Sequence, residues 1–240
     1  KTALPMEETI LVVNSGSSSV KLALFDKHHQ KKASALAEKL NKKDAIARID
    51  GSSEPIELPE GANHQQALQV LIEPFTQQKL LQGPPLAIGH RVVHGGETFR
   101  EAALIDTDTI AAIEKVSGLA PLHNPVNLVG INAMQVLFPS VPQVAVFDTA
   151  YHQTLPEKAY RYALPKHCYE DWGVRRYGFH GTSHHFMAQE AARLLGKTVE
   201  STSIISAHLG NGCSITAIQD GKSVDTSMGL TPLEGLVMGT

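Results

Sequence analysis

One pattern occurs twice in this chain and constrains its fold more than any other feature. Ile10 to Asp26 reads ILVVNSGSSSVKLALFD, and Ile204 to Asp220, at an offset of 194, reads IISAHLGNGCSITAIQD. Each is an apolar strand, a turn rich in Gly, Ser or Asn, and a second strand of alternating character. Ile10, Gly16, Ala23 and Asp26 recur as Ile204, Gly210, Ala217 and Asp220. The short turns predict antiparallel hairpins. Two equivalent hairpins suggest a duplicated fold with a cleft between its halves; two unrelated hairpins are the alternative. The second copy opens only at Ile204, and a full second half would need far more residues than follow Asp220, so it is expected to be truncated in this chain.

The segments between the hairpins mix helix and strand signals, which implies α/β architecture. Strands are expected over 33–40 and 45–50 with a turn at Lys42-Lys43, then at 86–93 and 144–147, and as three consecutive strands over 203–207, 214–219 and 222–226. Helices are expected over 63–73, 108–116 and 126–137, and from Thr182 or Ser183 to Leu195. Asn63 is the expected cap of the first, and Pro74 should end it, because proline lacks the N–H and crowds the preceding turn. Asn124-Pro125 opens the third, and Gly196 should close the last. The expected domains are residues 1–150, carrying the first hairpin, and 151–240, the incomplete beginning of a second α/β domain.

A net charge of −3 argues against a nucleic-acid partner held by bulk electrostatics. No apolar run approaches the ~20 residues that span a bilayer, and the KTALPMEET start has no signal-type apolar stretch. Cys168 and Cys213 make neither a disulfide scaffold nor a zinc site, and read as reduced thiols of a cytoplasmic protein.

Several residues have the chemistry of an anion site. Glycines in the turns 14–19 and 209–213 let the backbone approach a ligand and turn N–H groups onto it. Ser17 and Ser19 add hydroxyls and Lys21 a charge, so phosphate is the natural guest; a plain hairpin turn is the bland reading. Arg91 and Val93 fall on one face of a regular strand and pair a cation with an apolar wall, which suits a small carboxylate with an alkyl group; a surface ion pair is the alternative. Asp148 closes a strand, where α/β sheets bind ligands, although such an Asp also serves as a turn or helix cap. Gly196-Lys197-Thr198 is no P-loop, because Ala191 stands where that motif needs glycine. His180 and His184 are four apart, but no glutamate completes an HExxH zinc motif.

VVNSGSSSVK, GHRVVHGGE, LAPLHNP, VFDTAYHQTLP, RRYGFHGTSHH, AHLGNGCS and SMGLTPLEGLVMGT occur in that order from about Ile10 to Thr240. Together they resemble the motifs of the acetate kinase family; the stretch from Lys27 to Gly83 contributes least. The resemblance implies the actin/hexokinase/Hsp70-like (ribonuclease H-like) duplicated fold. It also implies reversible phosphoryl transfer between ATP and acetate, with Mg²⁺ or Mn²⁺, in a homodimer. By the same resemblance Asn14, Ser17, Ser19 and Lys21 form the first phosphate loop, Asn14 contacting the phosphoryl group or its metal. His208, Leu209, Gly210, Asn211 and Gly212 form the second. Arg91 binds carboxylate and phosphoryl group, and Val93, Leu122, Phe179 and Pro232 receive the acetate methyl. His123 lies near the active site, Asp148 orders the metal and its waters, and His180 donates a hydrogen bond to the transition state. The family's second arginine, adenosine pocket and metal-binding glutamate fall beyond residue 240, so the chain alone is expected to show little kinase activity. Rival readings are a propionate or butyrate kinase, a non-catalytic phosphate- or nucleotide-binding module, and a histidine-based metallohydrolase with zinc at His180, His184 and His185.

Overall fold

The computed structural model describes residues 8–239. The KTALPME start and Thr240 lie outside them. The elements run β1 (Thr9–Gly16), β2 (Ser19–Asp26), β3 (Lys31–Glu38), β4 (Ile46–Ile49), β5 (Ile56–Glu57), α1 (His64–Gln77), β6 (Ala87–Val92), β7 (Ala103–Leu104), α2 (Thr107–Val116), α3 (Asn124–Leu137) and β8 (Gln143–Phe147). Then follow α4 (Glu157–Tyr160), α5 (Lys166–Glu170), α6 (Gly181–Leu195), β9 (Ile204–Leu209), β10 (Cys213–Gln219) and β11 (Lys222–Thr226). Among the described residues no helix is long and apolar enough to cross a membrane.

The chain divides into two compact units. One comprises Lys1–Val92, Ala103–Glu114 and Pro121–Ala145; the other comprises Val93–Ala102, Lys115–Ala120 and Val146–Thr240. The first unit is built on a sheet ordered β5-β4-β3-β2-β1-β6-β8-β7. β1 pairs antiparallel with β2 and parallel with β6. Alternation along β1 and β2 turns Leu11, Val13, Val20, Leu22 and Leu24 inward, where they pack with Leu68, Leu71 and Phe75 of α1 and Met134 of α3. The second unit holds a sheet ordered β11-β10-β9, with β10 antiparallel to both neighbours. α6 packs on β9, and Ile205, Leu209 and Ile215 remain exposed.

Both repeated segments are antiparallel hairpins, but they differ by one residue at the turn. Gly16 pairs with Ser19 in the first, leaving Ser17-Ser18 as the turn. Leu209 pairs with Cys213 in the second, leaving three residues. The expected 14–19 turn is therefore shorter than read, because Asn14 and Ser15 complete β1.

Pro74 does not end α1, which runs on to Gln77. Continuing the helix buries Phe75 completely, and this packing offsets the one backbone bond that proline cannot make. Asn63 caps the helix as expected, in a reciprocal capping box with Gln66. Neither Thr182 nor Ser183 caps α6. The cap position is His180, in the left-handed region at φ 57°, ψ 21°. Gly196 closes α6 at φ 65°, as the sequence indicated.

Candidate active site

In the first unit Asn14 and Lys21 are register partners across β1 and β2, so their side chains share a sheet face. The β1–β6 ladder ends at Val13 opposite His90, with both side chains inward. The next residue on each strand, Asn14 and Arg91, therefore lies on the same outer face. Three sequence-predicted residues thus gather at one strand end, the position where α/β sheets bind ligands. The turn is braced by groups the sequence did not reveal. His64 Nε2–H donates to the Gly16 carbonyl at 2.6 Å, and Asn127 Nδ2 donates to the Ser15 carbonyl at 2.9 Å. Gly130 of α3 packs closely on the turn: a Cβ there would stand 2.4 Å from Ser15 Oγ, so any larger residue would force that side chain to turn. Leu122 and His123 precede α3; Leu122 is 72% exposed, and the His123 carbonyl accepts from Asn127 N.

β6 ends at Val92, so strand alternation does not extend to Val93 and does not place it beside Arg91 as expected. Val93 instead joins an apolar cluster of the second unit with Phe179 and Met228, and Met238 packs against it. Met228 escaped the sequence reading. Arg176 fixes its backbone by donating to the carbonyls of Thr226, Ser227 and Met228 at 2.9–3.1 Å. Arg175 is also structural: it is buried, pairs with Glu97 at 2.7 Å and lies over the Tyr160 ring. Pro232 is half-buried in the segment after β11.

Asp148, 2% exposed at the end of β8, ties the second unit's site together. Its carbonyl accepts from Gly181 N at 2.9 Å, and Oδ2 accepts from His180 N at 3.4 Å. It therefore serves the orphan N–H groups of α6, where a carboxylate also favours the helix dipole. A Cβ at Gly181 would lie 2.4 Å from the Asp148 carbonyl oxygen, so only glycine permits this approach. The His180 ring stacks on His208 at 3.9 Å and covers Gly212, where a Cβ would stand 3.2 Å from its Nε2 and Cε1. Within the 210–212 turn the Gly210 N–H is used by the Gly212 carbonyl. Asp148, Phe179, His180, His208 and Gly212 are thus brought together.

The zinc reading fails on hydrogen bonding. His184 turns Nδ1 to Ser206 Oγ and Nε2 to Ser214 Oγ, both at 2.8 Å, and His185 stacks on Tyr151. Burial pushes His90, His94 and His152 down to about 4. Burial, then the neighbouring His152, His180 and His208, pushes His184 down to about 3. These folded-state values lie below the unfolded value of 6.5, so on acidification the unfolded chain binds protons first. Stability is full above pH 6.5 and falls as the pH drops towards 4, by up to about 3 kcal/mol per histidine. Urea midpoints should therefore drop steeply between pH 7.5 and 5; equal midpoints would refute the neutral buried state.

The model of the Acetokinase family matches residues 9–240. The chain is 53% identical over 237 residues to the acetate kinase of Chromobacterium violaceum, covering 98% of this chain and 59% of that protein. It is 50% identical over 238 residues to the acetate kinase of Thermotoga maritima, covering 96% and 59%. Among solved structures, a propionate kinase from Francisella tularensis superposes with a TM-score of 0.91 at 46% identity, and Porphyromonas gingivalis acetate kinase with 0.91 at 43%; each match covers 97% of this chain and 60% of the other. The fold is therefore the mixed α/β fold of the acetate kinases, as the motif resemblance implied. The chain belongs to the acetokinase family. It spans about 60% of the length of the relatives it matches.

Proposed function

We propose that the protein carrying this chain transfers a phosphoryl group reversibly between ATP and acetate, giving acetyl phosphate and ADP. The observation that carries this reading is the gathering of Asp148, His180, His208 and the 210–212 turn in one unit, with the apolar cluster of Val93, Phe179 and Met228 built on the residue before His180. Phosphoryl transfer through a loose transition state needs positioned charge and hydrogen-bond donors more than covalent chemistry. His180 supplies a donor to an equatorial oxygen, and His208, Leu209, Gly210, Asn211 and Gly212 form the second phosphate loop. In the first unit Asn14, Ser17, Ser19 and Lys21 form the first loop. Arg91 offers the planar fork that matches carboxylate and phosphate. In the second unit Val93, Phe179 and Pro232 are the residues for the acetate methyl; in the first, the motif resemblance gives Leu122 the same role and His123 a place near the reaction.

Among the described residues no three His, Cys, Asp or Glu side chains gather to hold a metal. The Asp148 carboxylate of the second unit is a hard oxygen donor of the kind Mg²⁺ or Mn²⁺ takes beside water and phosphate oxygens, and in the first unit Asn14 offers a neutral oxygen. When bound, the ion neutralises charge on the transferred phosphoryl group. A homodimer and a cytoplasmic location complete the proposal.

Hydroxamate formation with ATP and Mg²⁺ tests it. Acetate should be turned over, and Arg91→Ala should lower kcat/KM about 100-fold, the cost of removing one partner of a charge pair. Propionate should be a poorer substrate by about 10-fold, since a small apolar pocket discriminates one methylene by only that much. The structural similarity to a propionate kinase keeps the second reading in view, and a reversed order of the two acids would select it. ADP binding without turnover of any carboxylate would overturn the kinase reading.

A further inference from the structure

We propose that Ser214 is a positioning residue that holds His180 with its ring proton on Nε2, as the last link of a chain running Ser206–His184–Ser214–His180. Ser214 is wholly buried on β10. Its hydroxyl lies 2.9 Å from Nδ1 of His180 and 2.8 Å from Nε2 of His184. The other nitrogen of His184 lies 2.8 Å from Ser206 Oγ on β9. The two serines come from adjacent strands, and His184 is fully buried on α6.

Counting protons limits what this row can do. A hydroxyl donates once, and a neutral imidazole has one N–H and one acceptor nitrogen. With both rings neutral, and with the buried O–H of Ser214 itself donating to one of its two imidazole partners, only two arrangements satisfy every contact. In one, Ser206 Oγ–H donates to His184 Nδ1, His184 Nε2–H donates to Ser214 Oγ, and Ser214 Oγ–H donates to His180 Nδ1; the proton of His180 is then on Nε2. In the other, every bond is reversed and Nε2 of His180 holds a lone pair. His184, pushed down to about 3, stays neutral and keeps the count intact.

The surroundings of Nε2 select the first arrangement. Nε2 lies over Gly212, at the turn read above as a phosphate loop, and the inference rests on that reading. Phosphate oxygens accept, so a lone pair there would oppose them while an N–H would bind them. The stack on His208, whose Nδ1 lies 2.9 Å from Ser183 Oγ, holds the ring plane; the row of serines holds the proton. Ser214 touches no reacting atom in this scheme and acts through His180.

The test uses the protein carrying this chain, labelled with ¹⁵N at histidine, in inorganic phosphate. Long-range ¹H–¹⁵N spectra should show His180 as the Nε2–H tautomer. Ser214→Ala should convert it to a mixture and lower kcat about 10-fold, with KM for acetate and ATP within about twofold, as expected for a group that orients a catalytic side chain. Ser214→Thr, which keeps the hydroxyl, should recover the tautomer. Should the methyl of threonine prevent folding, Ser206→Ala, at the far end of the row, should move the His180 signals in the same direction as Ser214→Ala. An Nδ1–H tautomer in the unaltered protein overturns the proposal, and so does an unchanged His180 tautomer in Ser214→Ala, whatever the rate does. If no carboxylate is turned over, the kinetic arm fails with the proposed function while the spectra still decide the proton position.

Discussion

Replacing His180 by alanine in the protein that carries this chain should lower kcat for acetyl phosphate formation about 100- to 1000-fold, with much smaller changes in KM. This is the usual cost of removing one preorganised donor aimed at charge that develops only in the transition state. The ring is held too firmly for a neighbour to replace it, being stacked on His208, hydrogen-bonded to Ser214 and closed over Gly212. Its backbone sits in the left-handed region at φ 57°, a conformation that costs a non-glycine residue free energy and is retained where a side chain must be aimed. His180→Gln places an amide N–H near the position of Nε2 and should lose less than the alanine variant. Steady-state hydroxamate kinetics on both variants decide the matter. A kcat for His180→Ala within threefold of the unaltered protein removes His180 from the mechanism.

Gly178→Ala should destabilise the fold by about 3 kcal/mol or more. Gly178 adopts φ 75°, and a Cβ there would stand 2.6 Å from Thr226 Cγ2 and 2.7 Å from His152 Cδ2. Neither neighbour can yield cheaply. His152 is fully buried and donates from Nε2 to the Phe179 carbonyl at 2.9 Å, while its Nδ1 accepts from Ser223 Oγ at 2.7 Å. Thr226 shares a hydrogen bond with Thr216 in the sheet. Gly173 makes a useful control: it also has positive φ, but its nearest obstacle is Tyr177 Oη at 3.1 Å. Gly173→Ala should cost about 1 kcal/mol, mostly backbone strain. Urea midpoints of the two variants should differ accordingly, and equal midpoints would show that the His152 region is softer than its packing implies.

The outcome at α1 shows where local reading stops. Its start was legible because Asn63 and Gln66 close a capping box within one turn. Its end was not, because Pro74 is a local stop signal overridden by burial of Phe75 against the sheet. At α6 the end was again legible, since only a left-handed glycine was needed at Gly196. Its start depends on Asp148, 32 positions earlier in the chain, whose carboxylate and carbonyl replace the expected Thr182 or Ser183 cap.

The sequence by itself determined both hairpins, the strand ending in Asp148 and the candidate loops, because alternation and turn chemistry act over a few neighbouring residues. Tertiary structure decided how those pieces are used. A three-residue turn in the second hairpin, against two in the first, turns Ser206 and His208 inward where their counterparts Val12 and Asn14 lie on the outer face. Contacts between residues 22 to 34 positions apart then join Ser206, His184, Ser214 and His180. Such partners meet only after strands and helix pack, so no spacing within either segment reveals them.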